Sequence, residues 1–405
     1  MKKITIKSTV ELASSDTEPI LWGGYQIPFI RYADGGLYVK FMGRKDFVEC
    51  HGLEELDPVY ASYDNGATWE RSDLSAWRRA APSLPNGDRI DFLQRKNISY
   101  HSELPRASKE GYGDKVSVYR VEDLAGLVDG LDKTFTVSRL VAGSTELREE
   151  RCAVNWEDMP VLCYRKENEV LINQLSPGEC DIKADRDGVL WLPVYTCAVA
   201  SDRESITSRF MSVHLLRSDD QGHTWDYVSS VYYDPAFDAP DAYKVEGFNE
   251  STLEILDNGD FIMMIRSGSL SPFGQEGRPI PKMFVVRSSD KGKSWTKPQV
   301  FYDYGIHPHS TRLKDGTILL ISGRPGVYLR TCEDPEGKKW SEITELVHVP
   351  EEDVMTKYYE YTCSNADFCV TDDGRIFAAY STFSVDKEAG THEKRILVSE
   401  ICLED

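Results

Sequence analysis

Three arginines hold equivalent places in this sequence. Arg44, Arg266 and Arg324 each end an apolar run that starts at a turn glycine seven or eight residues upstream. The runs are GLYVKFMGR, GDFIMMIR and GTILLISGR. A guanidinium is a planar fork that meets a carboxylate in two parallel hydrogen bonds. A lone arginine in such a place is ordinarily a surface or inter-strand ion pair. Three in register predict one shared pocket for an anionic or polyol group. Near them the segment GIHPHSTR presents His307 and His309, whose side chains share one face of a strand. A His-x-His pair can ligate a metal, but two ligands are too few for a site, so no metal is predicted. Hydrogen bonding to a substrate, or acid/base work by one histidine, is the expectation. Glu179 and Asp181 stand where they would line the mouth of the same pocket.

Composition narrows the partners. The chain of 405 residues carries 47 basic and 67 acidic residues, a formal charge of −20. Nucleic acid demands a basic face, and an anionic membrane surface repels such a chain. A small anionic ligand stays compatible, because one pocket can be basic on an acidic protein. The N-terminal stretch MKKITIKSTVELASS alternates like a strand and has no apolar signal core, which predicts a cytoplasmic protein. The nine cysteines are scattered without a Cys-x-x-Cys pair and read as reduced, mostly buried thiols. GRPG and DNGD lack phosphate-loop spacing, and no cofactor is predicted.

The elements that must position these residues repeat. SYDNGATW (62–69), SDDQGHTW (218–225) and SSDKGKSW (288–295) share the frame Ser-x-Asp-x-Gly-x-(Thr/Ser)-Trp, and TCEDPEGKKW, ending at Trp340, is a decayed copy. Asp and Ser hold the loop backbone, Gly supplies positive φ, and Trp buries its indole on adjoining strands. Strand, turn glycine and strand recur before or beside these motifs, in 27–44, 181–197, 251–266, 310–324 and 367–381, with a poorer copy at 81–93. The segment 118–131 reads as a short helix in an insertion. Six four-stranded antiparallel units predict an all-β, six-bladed β-propeller, a single domain over 1–405. The expected blades are 24–70, 80–145, 175–230, 247–300, 305–347 and 360–402, with the N-terminal strand pairing into the last.

The Ser-x-Asp-x-Gly-x-x-Trp frame resembles the Asp-box, or BNR repeat, and the chain resembles the sialidase (neuraminidase) superfamily over nearly its whole length. Asp-boxes are structural turns, so they speak for fold. Function in that family rests on three carboxylate-clamping arginines, a tyrosine nucleophile, a glutamate that activates it and an aspartate acid/base. The resemblance gives Glu250 and Arg266, sixteen residues apart, the places of the activating glutamate and second arginine. It gives Arg324 the place of the third. The family's Arg-Ile-Pro signature reads Gln26-Ile27-Pro28 here, so the first arginine is replaced by a neutral amide. Gln26 is expected to face the pocket. Glu49, with Asp46 and His51 beside it, falls near the acid/base position. Counting back from Gly374 puts the tyrosine position at Asn365. A Tyr-Thr pair lies four residues earlier at Tyr361, with Tyr358 and Tyr359 close by. Either a short insertion brings Tyr361 to the site or the nucleophile is lost.

These residues imply a sialidase-like exo-glycoside hydrolase acting on a small, acidic or neutral saccharide that is not an ordinary sialoside. Two alternatives stay open. One is a lyase or metal-assisted hydrolase built on His307, His309 and nearby carboxylates. The other is a non-catalytic carbohydrate-binding propeller.

Overall fold

The computed structural model describes residues 2–22, 26–44, 48–107, 109–111, 115–177, 181–199, 209–238, 241–269, 280–356, 365–386 and 391–404. The chain is all-β, with its Asp-Gly and Asn-Gly steps in short hairpin turns, two residues long at Asp34-Gly35 and three residues long at Gly87, Gly188, Gly259, Gly316 and Gly374. Pro28–Ala33 pairs with Gly36–Phe41 around Asp34 and Gly35, both at positive φ. That is the geometry a tight hairpin between twisted strands requires.

Among the described residues, six antiparallel units follow one another in sequence. The first runs Pro28–Ala33, Gly36–Phe41, Val59–Ser62, Glu70–Ser72, and the fifth Ile306–Arg312, Ile318–Gly323, Val327–Cys332, Thr344–Val347. Between them lies an eleven-stranded sheet made of three antiparallel units joined by short parallel contacts, Ala153–Asn155 on Thr224–Asp226 and Met211 on Gly247. In the last unit Ala366–Val370, Ile376–Asp386 and Thr391–Glu404 are completed by the N-terminal strand Lys3–Ser14, which pairs with Thr391–Glu404.

The units stack through their apolar faces. Val39 of the first packs with Val398 of the last, Leu329 of the fifth with Phe368 of the last, and Met264 of the fourth with Leu320 of the fifth. Trp191 of the third packs with Phe261 of the fourth, and Phe92 of the second with Trp225 of the third. Between first and second units the contact is polar: Arg31 Nη2 donates to Asp91 Oδ1 at 2.5 Å, and its guanidinium lies 3.9 Å above the Trp77 ring.

The repeat turns are built alike. Gly66 N–H, Gly222 N–H and Gly292 N–H donate to Ser62, Ser218 and Ser288 Oγ at 2.9, 2.8 and 2.8 Å. Asp64, Asp220 and Asp290 accept from the backbone and hydroxyl of the following Thr or Ser, 2.6–2.9 Å away. In the decayed copy Asp334 still accepts from Lys338 N–H at 2.9 Å.

The segment 118–131 departs from expectation. It opens in the strand Val116–Arg120, and its helix is the four-residue Val121–Leu124. It belongs to a five-stranded sheet of Ile98–Tyr100, Lys109–Glu110, Val116–Arg120, Pro160–Arg165 and Val170–Gln174. This sheet is interleaved in sequence with the strands of the second unit. Its apolar spacing imitates a longer helix because the segment is short and the helical turn follows its strand with no break between them.

Candidate active site

Arg44, Arg266 and Arg324 line one cavity of about 430 Å³ together with Glu250 and Asn365. The same register position is filled in two further units. Seven residues past Gly87 and Gly188 stand Gln94 and Tyr195, and both line this cavity. The second-strand ends of five successive units therefore meet at one place. Gln94 and Tyr195 obey the same count from a turn glycine as the arginines; being uncharged, they carry no signal of their own in the sequence.

Glu250 is delivered by a bulge. In Val245–Ile255 the pairing jumps from Phe248 opposite Ser267 to Ser251 opposite Ile265, so Asn249 and Glu250 both face Arg266. Two residues against one bend the strand and re-aim a side chain. Arg266 Nη1 donates to Glu250 Oε1 at 2.6 Å. The other carboxylate oxygen accepts the His307 backbone N–H at 2.7 Å. His307 itself sits at φ 48 in a second bulge, between Ile306 opposite Gly323 and His309 opposite Ile321. Burial pushes the Glu250 carboxyl up, but Arg266, His307 and Arg324 outweigh it and hold the group below its ordinary value. Glu250 is thus held as an anion with a fixed orientation.

Arg324 has a left-handed backbone, φ 52, rare for a residue with a side chain and costly unless its surroundings enforce it. Arg44 is held by Asp57: its Nε lies 3.3 Å from Oδ1 and its Nη2 donates to Oδ2 at 3.4 Å. Asp57 also accepts Gly43 N–H at 2.9 Å. Burial raises the Asp57 carboxyl against the pull of Lys40 and Arg44. Asp57 lines the cavity. No motif marks it in the sequence, because it stands in a loop before Pro58.

His307 and His309 form a buried pair behind Glu250, His309 Nε2 lying 3.0 Å from His307 Nδ1. His309 Nδ1 faces Asp181 Oδ2 at 3.4 Å and Asp367 Oδ1 at 3.5 Å. Burial alone would discharge His309, but Asp367 and Asp181 carry it up to about 9. Burial and the His309 cation push His307 down to about 3. His309 therefore donates to a neutral His307, whose backbone fixes Glu250. Neither imidazole is among the residues lining the 430 Å³ cavity. Asp181 and Asp367 line a second cavity of about 420 Å³, which shares Phe29, Lys40 and Pro177 with the first.

Two predicted residues lie elsewhere. Glu49 is half-exposed and ion-paired to Lys166, on the outer side of a single turn, Val48–Cys50, while Val48 and His51 flank the cavity. Gln26 is 1% exposed and its amide Nε2 donates to the Leu21 carbonyl at 3.5 Å; the cavity wall begins at the next residue, Ile27. Gln26, expected to face the pocket, stands one residue before the cavity wall and is not among the residues that line it. Tyr361, with Tyr358 and Tyr359, lies outside the described residues, as do Asp46 and Glu179. Asn365, where the count back from Gly374 falls, is buried and lines the cavity. Among the described residues no group of three or more His, Cys, Asp or Glu is placed to hold a metal ion. Among them, too, no helix is long and apolar enough to cross a membrane.

Residues 160–392 match the family model of the BNR repeat-like domain. No curated protein matches the chain. Among solved structures, a protein of unknown function from Dyadobacter fermentans is 17% identical, with a TM-score of 0.58 over 98% of this chain and 98% of that one. The NanB sialidase of Streptococcus pneumoniae is 12% identical, with a TM-score of 0.46 over 98% of this chain and 70% of that one. The intramolecular trans-sialidase of Ruminococcus gnavus is 15% identical, with a TM-score of 0.42 over 93% and 94%.

Proposed function

This chain belongs to the BNR repeat-like domain family, and on that premise we propose that it is a sialidase-like exo-glycoside hydrolase built on a six-bladed β-propeller and acting on a small acidic saccharide. The ring reading is supported by the cycle of packed units, in which the last rests on the first. The activity reading is carried by one observation: the Glu250–Arg266 ion pair, with Arg324 beside it, on the wall of a cavity fed by five units.

In the reaction proposed, the glycone carboxylate is held by Arg324 and Arg266, and Arg44, beside Asp57, adds positive potential. Glu250 accepts the proton of a phenol as that oxygen attacks the anomeric carbon. The leaving oxygen takes a proton from a carboxylic acid, and water then releases the sugar from the tyrosine. A tyrosine in place of the usual carboxylate nucleophile is what sets sialidases apart among glycosidases. Tyr361, four residues before the cavity-lining Asn365, is proposed as the nucleophile. Asp57 replaces Glu49 as the proposed acid, because burial keeps its carboxyl protonated to higher pH and it lies on the cavity wall. The substrate is proposed to differ from an ordinary sialoside, since the signature position Gln26 brings no guanidinium to the cavity wall.

A second reading has its own support. Asn365 stands on the cavity wall at the counted tyrosine position, which favours a propeller that binds a saccharide without turnover. Hydrolysis of 4-methylumbelliferyl glycosides of neuraminic, uronic and neutral sugars separates the two. The enzyme reading expects turnover that falls at least 100-fold in Glu250→Gln and in Tyr361→Phe, with ligand binding retained. Turnover unchanged in both variants would overturn it.

A further inference from the structure

The five-stranded sheet inserted around the second unit supplies part of the cavity wall that the repeat units do not. Leu162, Tyr164, Asn173 and Gln174 of that sheet line the cavity. They face a different chemistry from the Glu250 side. Tyr164 and Tyr195 are both half-buried, and both pack on one small apolar cluster that includes Leu162 and Met211. Tyr195 comes from the third unit, at the register position that the arginines occupy in theirs. Two aromatic rings from two sheets therefore pack on one apolar cluster and line the same cavity as Glu250, Arg266 and Arg324.

The inserted sheet is fixed at several points. Asn173 Nδ2 lies 2.9 Å from His51 Nδ1 and donates to Asn97 Oδ1 at 3.0 Å. Gln174 Oε1 accepts from Arg95, which also donates to Asp132 Oδ1 at 3.2 Å. Lys166, just past the strand that carries Tyr164, pairs with Glu49. The sheet is a wall tied to the first and second units by polar contacts and to the third by apolar ones.

We infer that the cavity has two parts and takes a disaccharide or longer chain. An acidic terminal sugar sits at Arg266, Arg324 and Glu250, and the next sugar packs its C–H face on Tyr164 and Tyr195. This rests on the glycosidase reading for the first part and extends it to the leaving group. A volume of about 430 Å³ lies in the range that encloses a drug-sized ligand, which a disaccharide matches. Tyrosine suits this role because it offers a rigid apolar face with a polar rim. The ion pair Lys166–Glu49, which has no place in the chemistry, acquires one here as a tie that holds the aromatic wall.

The test uses four probes: N-acetylneuraminyl-galactose, glucuronosyl-galactose and the two matching methyl glycosides. The quantity read is the ratio of kcat/KM for disaccharide over methyl glycoside. The wild type should prefer a disaccharide, and Tyr164→Ala and Tyr195→Ala should each lower that ratio at least tenfold, with Tyr164→Phe retaining it. A ratio of one in the wild type, or a ratio unmoved in both alanine variants, overturns the inference. If Tyr164→Ala fails to fold, as judged by circular dichroism, Tyr164→Leu takes its place. If none of the four is hydrolysed, the glycosidase reading fails separately. The same ratio, taken from calorimetric dissociation constants, then decides the inference, and absence of binding by every probe overturns it.

Discussion

Arg266 faces Glu250 across a two-against-one bulge, with Nη1 donating to Oε1 at 2.6 Å. Both groups are well buried, so the pairing decides the charge of the carboxylate rather than decorating it. Taking Arg266 away leaves burial as the largest influence on Glu250, and burial acts upward. Arg266→Ala should therefore move the acid limb of kcat/KM to higher pH. The stability effect has the matching sign. A carboxylate held below its ordinary value stabilises the fold above that ordinary value, and the contribution is lost as pH falls through the folded value. Loss of Arg266 should erase that acid-range dependence. A pH profile of turnover, with thermal melts over the same range, reads both.

How much of this is legible in the sequence depends on which interactions are periodic. The turns are legible because Ser-x-Asp-x-Gly-x-x-Trp specifies its own hydrogen bonds within eight residues, and Arg44, Arg266 and Arg324 stand at a near-constant count from a turn glycine. Glu250 is reached only through a family resemblance, and the bulge that aims it has no local signature in Phe248–Ser251. Asp57 and Glu49 show the opposite limit. Loop residues have no period, so nothing in the sequence tells which carboxylate of 46–57 turns inward, and the structure turns Asp57 to the cavity and Glu49 to Lys166. The inserted sheet is hidden for a related reason: its strands alternate in sequence with those of another sheet, and short segments do not announce their partners.

His309 gives an alkaline signature. Its charge is sustained by Asp367 and Asp181, with Lys183 opposing, and burial alone would remove it. A histidine raised to about 9 stabilises the fold below its ordinary value, and the contribution fades as pH rises through about 9. Melting temperatures of wild type and His309→Gln should differ most below about pH 6.5, and the gap should close as pH rises through about 9. A gap that stays constant from pH 7 to 10 would show that His309 is neutral in the folded protein.

The repeat turns differ in how tightly their glycines are enclosed. Gly374 has φ 86 and open space where a Cβ would go, whereas Gly292 has φ 75 and would press a Cβ into the Leu215 side chain. Alanine at Gly374 should cost about 1–2 kcal/mol, the left-handed backbone penalty alone. Alanine at Gly292 adds overpacking, for roughly 2–5 kcal/mol in all. Urea denaturation of the two variants should rank them in that order.

Gln26 is the residue at which resemblance and structure part. If it were simply a clamp arginine softened to an amide, Gln26→Arg would restore charge to the cavity and strengthen activity on acidic glycosides. The structure places its side chain in the interior, 1% exposed and bonded toward Leu21, with Ile27 forming the cavity wall. A guanidinium there must be accommodated where an amide now fits, and a buried charge without a matched partner costs several kcal/mol. Gln26→Arg should therefore lower the urea midpoint by an amount worth about 3 kcal/mol or more, and leave kcat/KM on acidic glycosides no higher than before. A variant of unchanged stability with improved turnover of uronides or neuraminides would show instead that position 26 reaches the substrate, and that the amide is what sets this protein apart from its arginine-bearing relatives.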